Sequence, residues 1–227
     1  MITIENLSIS YDKRKSVIDH LNLSLVEGQI HGIVGLNGAG KTTLLNAIFG
    51  FQKADEGSIL WDNQKISKKS FAFLQTQNYF YSNITGREYL SVFQNPDFDI
   101  EKWNSLFHLP LDSHVDGYSS GMKKKLALLG VLKLDKPILI LDEPFNDLDI
   151  ESCHIIRLIL LRLRDKKKTI ILTSHIIETL TNLCDFIHYL EKGTIKSSRD
   201  KSGFSEFERE VFENIENMNS SLINELI

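Results

Sequence analysis

The sequence predicts an α/β fold with a mainly parallel sheet, an antiparallel β subdomain at the N-terminus and an inserted helical lobe. Three observations support this prediction. After residue 30, short apolar runs typical of buried strands alternate with segments of helical periodicity, as in parallel sheets whose strands are joined by helices. A glycine-rich loop follows one such strand and leads directly into a helix. From about residue 85 to residue 136 the pattern is helical, with breaks near Pro96 and over 109–117.

The N-terminal segment contains short apolar stretches and an alternation of apolar and polar residues, which is typical of strands. The apolar positions are Ile2, Ile4, Leu7, Ile9, Leu21, Leu23 and Leu25. We therefore expect this segment to form the antiparallel β subdomain.

The central part of the chain is predicted to contain strands separated by helices. The predicted strands are Ile30–Val34, Ser58–Trp61, Phe71–Leu74, Ile138–Leu141 and Thr169–Thr173, and the predicted helices follow Lys41 and cover Ile155–Leu163 and Ile176–Leu183. Gly50 is expected to cap the helix after Lys41, because glycine readily adopts the left-handed conformation at a helix end. The run Ile138–Leu141 is apolar throughout, which indicates a strand buried on both faces.

The C-terminal segment 204–227 predicts an amphipathic helix rich in glutamate. Its apolar residues recur at 207, 211, 215, 218 and 222, the spacing of one helix face. Packing on the chain's own domain is the simpler interpretation of this face, and a contact with a dimer mate or another partner is the alternative. The whole chain, 1–227, has the length of a single domain with one substantial core.

Charge and hydropathy restrict the classes of partner. The net charge of −4 provides no general attraction to nucleic acid or anionic lipid, so we expect neither as a direct partner. Ile155–Leu163, the longest apolar-rich run, contains Arg157 and Arg162, whereas a membrane-spanning helix needs about 20 mostly apolar residues. Cys153 and Cys184 form no CxxC pair, which favours a reduced cytosolic compartment. Any membrane role would therefore depend on a protein partner.

A phosphate-binding loop is predicted between the strand Ile30–Val34 and the helix that follows it. The sequence GLNGAGKT matches GxxxxGK[ST] at every fixed position, and the strand and helix on either side are the expected context. Glycines let backbone N–H groups converge on phosphates, the lysine adds positive charge, and the hydroxyl of Thr42 ligates Mg²⁺. The predicted ATP-binding residues of this loop are Gly35, Leu36, Asn37, Gly38, Ala39, Gly40, Lys41, Thr42 and Thr43. The chain is thus predicted to have a P-loop NTPase core.

Two acidic residues end the buried strand Ile138–Leu141. Ligands of open α/β sheets collect at the carboxyl edge of the strands, where Asp142 and Glu143 follow this run. We expect Asp142 to hold Mg²⁺ and Glu143 to polarise the attacking water. These two motifs alone leave a kinase, a GTPase and a helicase as alternatives.

Three further motifs narrow the class. Tyr118–Met122 reads YSSGM before a helix, Pro144–Asp149 follows the second acid, and Thr173–His175 reads TSH after the next strand. In order and spacing, from about residue 2 to residue 196, the chain resembles the ATPases of the ABC family. YSSGM resembles a degenerate form of their LSGGQ signature, Pro144–Asp149 resembles their D-loop, and His175 stands where the family has its switch histidine.

The resemblance implies a head-to-tail dimer that sandwiches two ATP molecules. Ser119 and Gly121 of one subunit would face the γ-phosphate held by the other, although Ser119 could also be an ordinary helix cap. His175 would contact the γ-phosphate and hold the water of Glu143 in place. Tyr11 would stack on adenine, with a surface or core tyrosine as the alternative interpretation.

The chain departs from the family where a glutamine normally links Mg²⁺ to the membrane partner. The sequence reads FAFLQTQ from Phe71, and an ungapped match places Thr76 at that position. Gln75 or Gln77 could serve only after a one-residue shift, and we favour Gln75 as this Mg²⁺ ligand.

These features predict the ATP-hydrolysing motor subunit of an ABC transporter, with ATP and Mg²⁺ as cofactors. The resemblance implies a homodimer or heterodimer of ATPase subunits, bound to a separate integral membrane protein. The subunit would be cytoplasmic and peripheral, on the inner face of the membrane. The short chain resembles export-type subunits. A soluble ABC-type ATPase acting on ribosomes or DNA is one alternative, and a regulatory subunit that binds nucleotide without turnover is another.

Overall fold

Two β-sheets organise the computed structural model, which describes residues 1–12 and 15–226. Side chains are described throughout these ranges except at 12, 15, 214, 215, 217–219 and 221–224. The strands are β1 (Ile2–Asp12), β2 (Lys15–Leu25), β3 (Ile30–Val34), β4 (Glu56–Trp61), β5 (Gln64–Lys65), β6 (Phe71–Leu74), β7 (Ile138–Leu141), β8 (Thr169–Ser174), β9 (Phe186–Glu191) and β10 (Thr194–Asp200).

The helices lie between these strands and after the last of them. They are α1 (Lys41–Phe49), α2 (Gly86–Ser91), α3 (Ile100–Asn104), α4 (Ser120–Lys133), α5 (Ile150–Asp165), α6 (Ile177–Thr181) and α7 (Phe204–Leu226). Among the described residues, no helix combines the length and apolar character needed to cross a membrane.

The larger sheet is mainly parallel, as the sequence predicts. Its strand order is β10-β9-β3-β8-β7-β6, and only β10 pairs antiparallel to its neighbour. The smaller sheet has the order β2-β1-β4-β5 and is antiparallel, which confirms the N-terminal β subdomain. The fold is therefore α/β, with one mainly parallel sheet and one antiparallel sheet.

The hairpin of β9 and β10 was not predicted. It turns at Lys192 and Gly193, which both have positive φ, of 47° and 79°. Positive φ at both central residues is the requirement of a tight hairpin turn that matches strand twist. Lysine before glycine is a weaker hairpin signal than asparagine or aspartate before glycine, so the local sequence does not predict this turn.

The helices α2, α3 and α4 all lie in the segment between β6 and β7. Thr85 and Glu88 form a reciprocal capping box at the start of α2, which satisfies backbone donors at that end. The hydroxyl of Tyr118 donates to the carbonyl oxygen of Pro110 at 2.6 Å. Tyr118 is buried, so this bond fixes the backbone just before α4.

The first half of α7 packs on the chain's own core. Phe204, Phe207 and Val211 are buried in the same cluster as the strands of the larger sheet, and the ring of Phe207 meets that of Tyr189. Own-domain packing is thus correct for this half. The side chains at 215, 218 and 222 lie outside the described residues, so the prediction for them stays untested.

A buried histidine pair joins β3, β9 and β10. Nδ1 of His31 lies 3.1 Å from Nε2 of His188, Nε2 of His31 lies 2.9 Å from the carbonyl oxygen of Val26, and Nδ1 of His188 lies 2.8 Å from Oγ of Ser198. These contacts suit two neutral rings, each with one N–H donor. Burial lowers the pKa of His31 and lowers that of His188 to about 3.

This pair predicts an acid-sensitive fold. The folded-state pKa of His188 is depressed to about 3, below the unfolded value of about 6.5. Above about pH 6.5 the ring is neutral in both states and the folded protein keeps its full stability; as the pH falls below that value, the unfolded state binds a proton that the folded state does not, and the free energy of unfolding decreases. We expect His188 to lower the free energy of unfolding by roughly 1.4 kcal/mol for each pH unit that the pH falls below about 6.5, down to its folded-state pKa of about 3. Denaturant unfolding between pH 4 and 6 should show a shallower pH slope for His188→Gln than for the exposed control His154→Gln; equal slopes would contradict the assignment.

Candidate functional site

The carboxyl ends of β3, β6, β7 and β8 meet at one edge of the larger sheet, because these strands are parallel. The segments after them border a cavity of about 470 Å³. It is lined by Val17, Asn37, Gly38, Ala39, Gly40, Lys41, Thr42, Thr43, Thr76, Glu143, Asn146 and His175. The P-loop, the second acid and the switch histidine of the sequence prediction are therefore brought together.

Two glycines of the P-loop are required by close approaches. A Cβ atom at Gly35 would lie 2.3 Å from the carbonyl oxygen of Leu190. Gly40 has a φ of +108°, and a Cβ there would meet Ile18 at 2.9 Å. Gly40 also precedes α1, so the loop directs its N–H groups and the positive end of the helix toward the cavity.

The ammonium group of Lys41 lies across this loop. Its Nζ donates to the carbonyl oxygen of Gly35 at 2.7 Å and lies 3.9 Å from Oε1 of Glu143. The side chain is nearly buried, between the loop and the acid. A bound phosphate would compete for this ammonium group, because charge-assisted hydrogen bonds to phosphate are stronger than those to a neutral carbonyl.

Both carboxylate oxygens of Asp142 accept a hydroxyl. Oδ2 accepts from Oγ1 of Thr42 at 2.8 Å, and Oδ1 accepts from Oγ1 of Thr173 at 2.6 Å. Asp142 is 1% exposed. The Thr42 hydroxyl and the Asp142 carboxylate are oxygen donors, which Mg²⁺ prefers, and Mg²⁺ is usually held by one or two protein groups together with substrate phosphates. These residues therefore fit the ion.

Glu143 lines the cavity beside two other predicted residues of the site, Lys41 and His175. Its Oε2 lies 3.1 Å from Nδ1 of His175, and its backbone N–H donates to Oγ1 of Thr173 at 2.9 Å. The backbone φ of Glu143 is +49°, a left-handed conformation that non-glycine residues seldom adopt outside functional sites and turns. A carboxylate in this position can accept a proton from a water molecule in the cavity.

Lys124 connects α4 to the same edge of the sheet. It is buried, and its Nζ donates to the carbonyl oxygens of Thr76, at 3.5 Å, and Asp142, at 3.4 Å. Burial lowers the pKa of the Lys124 ammonium group, while the neighbouring carboxylates oppose this shift. The backbone after β6 is thereby linked to the acidic end of β7.

The predicted signature residues lie at the start of α4, away from the cavity lining. Oγ of Ser119 accepts from the backbone N–H of Met122 at 3.2 Å, so the helix-cap interpretation is correct for this chain. A Cβ at Gly121 would lie 2.7 Å from the carbonyl oxygen of Asp147. Among the residues that border the P-loop cavity in the described chain, neither Ser119 nor Gly121 appears. A role toward ATP would require a second subunit.

Tyr11 lies beside the P-loop helix. Its hydroxyl is 3.1 Å from Oγ1 of Thr43, and 66% of the residue is exposed. Tyr11 does not appear among the described lining residues of the cavity, whereas Val17 of the neighbouring strand does. The ring is available for stacking, and the adenine role stays a prediction.

The structure is compatible with both alignments at the end of β6, the ungapped one that uses Thr76 and the shifted one that uses Gln75. Thr76 lines the P-loop cavity, while Gln75, Thr76 and Gln77 all line an adjoining cavity of about 350 Å³ with Thr42 and Asp142. All three residues are exposed. The favoured Gln75 is therefore near the predicted metal ligands, but Thr76 is too.

Val17, Asn146 and Thr173 belong to the site although the sequence assigned them no role. Val17 reaches the cavity because the smaller sheet lies against the P-loop, a contact that no local pattern encodes. Asn146 lies inside the predicted D-loop, and Thr173 lies two residues before the switch histidine. Their positions within those motifs were the available signals.

Comparison with known proteins decides the family. A family model described as "ABC transporter" matches residues 18–146, which is more than half of the chain. The chain belongs to the ABC transporter family. It is an ATPase, and its relatives are named as the ATP-binding proteins of ABC transporters.

Individual relatives agree with this assignment. The ABC transporter ATP-binding protein YtrB of Bacillus subtilis is 29% identical over 211 residues, which cover 88% of this chain and 72% of the relative. The lantibiotic transport ATP-binding protein SrtF of Streptococcus pyogenes is 27% identical, with 94% and 96% covered.

Solved structures establish the fold. An ATP-binding subunit of an ABC transporter has a TM-score of 0.76 at 24% identity, with 88% of this chain and 90% of that chain covered. A dimeric ATP-binding cassette in a post-hydrolysis state, bound to ADP and phosphate, has a TM-score of 0.77 at 21% identity, with 88% and 99% covered.

Proposed function

We propose that the chain, as a single domain of 227 residues, hydrolyses MgATP in a head-to-tail dimer and drives transport through a separate integral membrane protein. One observation carries the proposal. Lys41, Glu143 and His175 border a single cavity, and the bond between Thr42 and Asp142 lies beside it, in a chain of the ABC transporter family.

The P-loop binds the phosphates of ATP. The N–H groups at the start of α1 surround the anionic oxygens, and Lys41 exchanges its bond with Gly35 for the β- and γ-phosphates. Thr42 and Asp142 would hold Mg²⁺, which neutralises phosphate charge. Tyr11 stacks on the adenine ring; its hydroxyl lies 3.1 Å from Oγ1 of Thr43, which lines the cavity.

Glu143 and His175 act on the attacking water. Glu143 orients a water in line with the γ-phosphorus and accepts its proton. The water oxygen bonds to that phosphorus while the bond from the phosphorus to the β–γ bridging oxygen breaks. The products are ADP and inorganic phosphate. His175 contacts the γ-phosphate and holds the Glu143 carboxylate, to which it already lies within hydrogen-bond distance.

A second subunit completes each site. Ser119 and Gly121, at the N-terminus of α4, face the γ-phosphate bound by the opposite P-loop, where the N–H groups and the helix dipole favour an anion. This arrangement is supported by the exposure of Ser119 and by its separation from the cavity of its own subunit. The second subunit is a copy of this chain or a related ATPase.

The transport direction is proposed to be export. The resemblance of this short chain to export-type subunits supports this choice, and the match to SrtF, which is named as a lantibiotic transport ATP-binding protein, supports a role in transport. The subunit would lie on the cytoplasmic face of the membrane, held by its partner. Affinity purification from detergent-solubilised membranes should recover an integral membrane protein, and the complex should hydrolyse ATP faster than the isolated subunit. Recovery of ribosomes or DNA without a membrane protein would contradict the proposal.

Three alanine variants should identify the residue that links the site to the membrane partner. If the shifted register is correct, Gln75→Ala lowers partner-stimulated ATPase activity more than Gln77→Ala, because Gln75 is then the Mg²⁺-linked side chain. The rate with and without the membrane partner gives the stimulation directly. A strong effect of Thr76→Ala, with little from either glutamine, would establish the ungapped register instead.

A further inference from the structure

One buried hydroxyl contacts both acidic residues of the site. Thr173, in β8, is 0% exposed. Its Oγ1 donates to Oδ1 of Asp142 at 2.6 Å and accepts from the backbone N–H of Glu143 at 2.9 Å. The same atom therefore bonds to the side chain of the first acid and to the backbone of the second.

The Thr173 hydroxyl bonds to the backbone of Glu143 just beyond the point where the pairing of β7 and β8 ends. The last paired residues of β7 and β8 are Leu141 and Leu172. Glu143 then turns away from the strand with a φ of +49°, a conformation that persists only when its surroundings hold it. Because the Glu143 N–H has left the ladder, the Thr173 hydroxyl replaces a backbone acceptor at this point.

Thr173 also completes the restraint on Asp142. The other oxygen of that carboxylate accepts from Thr42, so the two hydroxyls together fix the rotation of the carboxylate plane. Hydrogen bonds thus connect Thr42 to Asp142, Asp142 to Thr173, and Thr173 to the backbone of Glu143. The Glu143 carboxylate in turn lies within hydrogen-bond distance of His175. A shift at Thr173 would displace both acids at once.

We propose that Thr173 is a positioning residue for ATP hydrolysis, which sets the Asp142 carboxylate and the Glu143 backbone in their working geometry. The inference rests on the proposed roles of these two acids. Thr173 is 0% exposed and is not among the described lining residues of the P-loop cavity, so it acts through the two acids. Its β-branched side chain suits this task, because such side chains have few χ1 rotamers in a strand.

Thr173→Val tests the hydroxyl at nearly constant volume. The variant keeps the branched shape and removes the bonds to Asp142 and Glu143, so kcat should fall by about ten- to a hundredfold, as for small misplacements of reacting groups. The nucleotide Kd, measured without Mg²⁺ to isolate the P-loop, should stay within about threefold. Thr173→Ser restores the hydroxyl and should recover kcat to within about threefold of the original protein.

Thr169→Val is the matched control. Thr169 is also buried in β8, and its Oγ1 accepts from the backbone N–H of Gly28 at 2.9 Å, far along the strand from the acids. This variant loses a comparable buried bond and should keep kcat. Equal losses of kcat in Thr169→Val and Thr173→Val would overturn the proposal, since both would then reflect general destabilisation.

Amide hydrogen exchange in the nucleotide-free protein separates this inference from the proposed catalysis. Thr173→Val should raise the exchange rate at the Glu143 amide by about tenfold or more, whereas Thr169→Val should not. If Glu143→Gln keeps its turnover, the proposed function fails while the exchange result stands. Unchanged kcat in folded Thr173→Val, or unchanged exchange at Glu143, would refute the positioning role.

Discussion

Glu143→Gln should bind ATP as tightly as the original protein and hydrolyse it about 10²-fold more slowly or worse. The glutamine amide has the size of the carboxylate but cannot accept a proton from water. Glu143 lies outside the P-loop, 3.9 Å from Lys41 and 3.1 Å from His175, so the substitution changes no residue of the phosphate-binding loop. The change is therefore expected in kcat and not in affinity.

Phosphate release measures the turnover of this variant, and a fluorescent ATP analogue measures its affinity. Glu206→Gln, an exposed change on α7, makes the same substitution far from the cavity and should leave both quantities unchanged. Lys41→Ala should show the opposite pattern, a loss of ATP affinity, because it removes charge from the loop. Near-normal turnover in Glu143→Gln would remove Glu143 from the catalytic role.

Ser119→Arg should abolish ATP-dependent dimerisation while each monomer still binds nucleotide. The substitution places a long charged side chain at the exposed start of α4, against the interface that ATP is expected to close. The P-loop is unchanged, and Ser119 does not line the cavity of its own subunit in the described chain. Turnover should fall with the dimer, because neither site is complete in a monomer.

A control must separate the interface from the helix cap, since Ser119 accepts from Met122. Ser119→Ala loses this cap, which is worth about 1 kcal/mol, without adding bulk or charge. It should retain much more of the ATP-dependent dimer than Ser119→Arg. Thermal unfolding shows whether either variant is destabilised. If Ser119→Ala lost as much of the ATP-dependent dimer as Ser119→Arg, the effect would be assigned to the helix cap alone.

Sequence reasoning succeeded where function depends on neighbouring residues. GLNGAGKT places Gly35, Lys41 and Thr42 in one loop, and Asp142 and Glu143 follow an apolar run whose strand could be recognised by itself. In parallel sheets such strand ends converge, so the two motifs could be expected at the same edge.

Contacts that depend on the pairing of distant strands could not be predicted from the sequence. The bonds of Thr173 to both acids require the register of β7 on β8, in which Leu141 pairs with Leu172. Val17 reaches the cavity only because the smaller sheet lies beside the P-loop. At Gln75 and Thr76 a shift of one residue changes which side chain faces the site, and composition contains no information on that shift.

Light scattering of Glu143→Gln, with and without MgATP, tests the shared-site mechanism most directly. Without nucleotide the protein should have the 26.0 kDa mass of one subunit, and with MgATP it should have twice that mass, because each bound ATP joins a P-loop to the α4 terminus of the other subunit. Addition of a chelator should weaken the dimer, since Mg²⁺ helps to neutralise the phosphates. A protein that stays monomeric at saturating MgATP, while the original protein hydrolyses ATP in linear proportion to its concentration, would contradict the account.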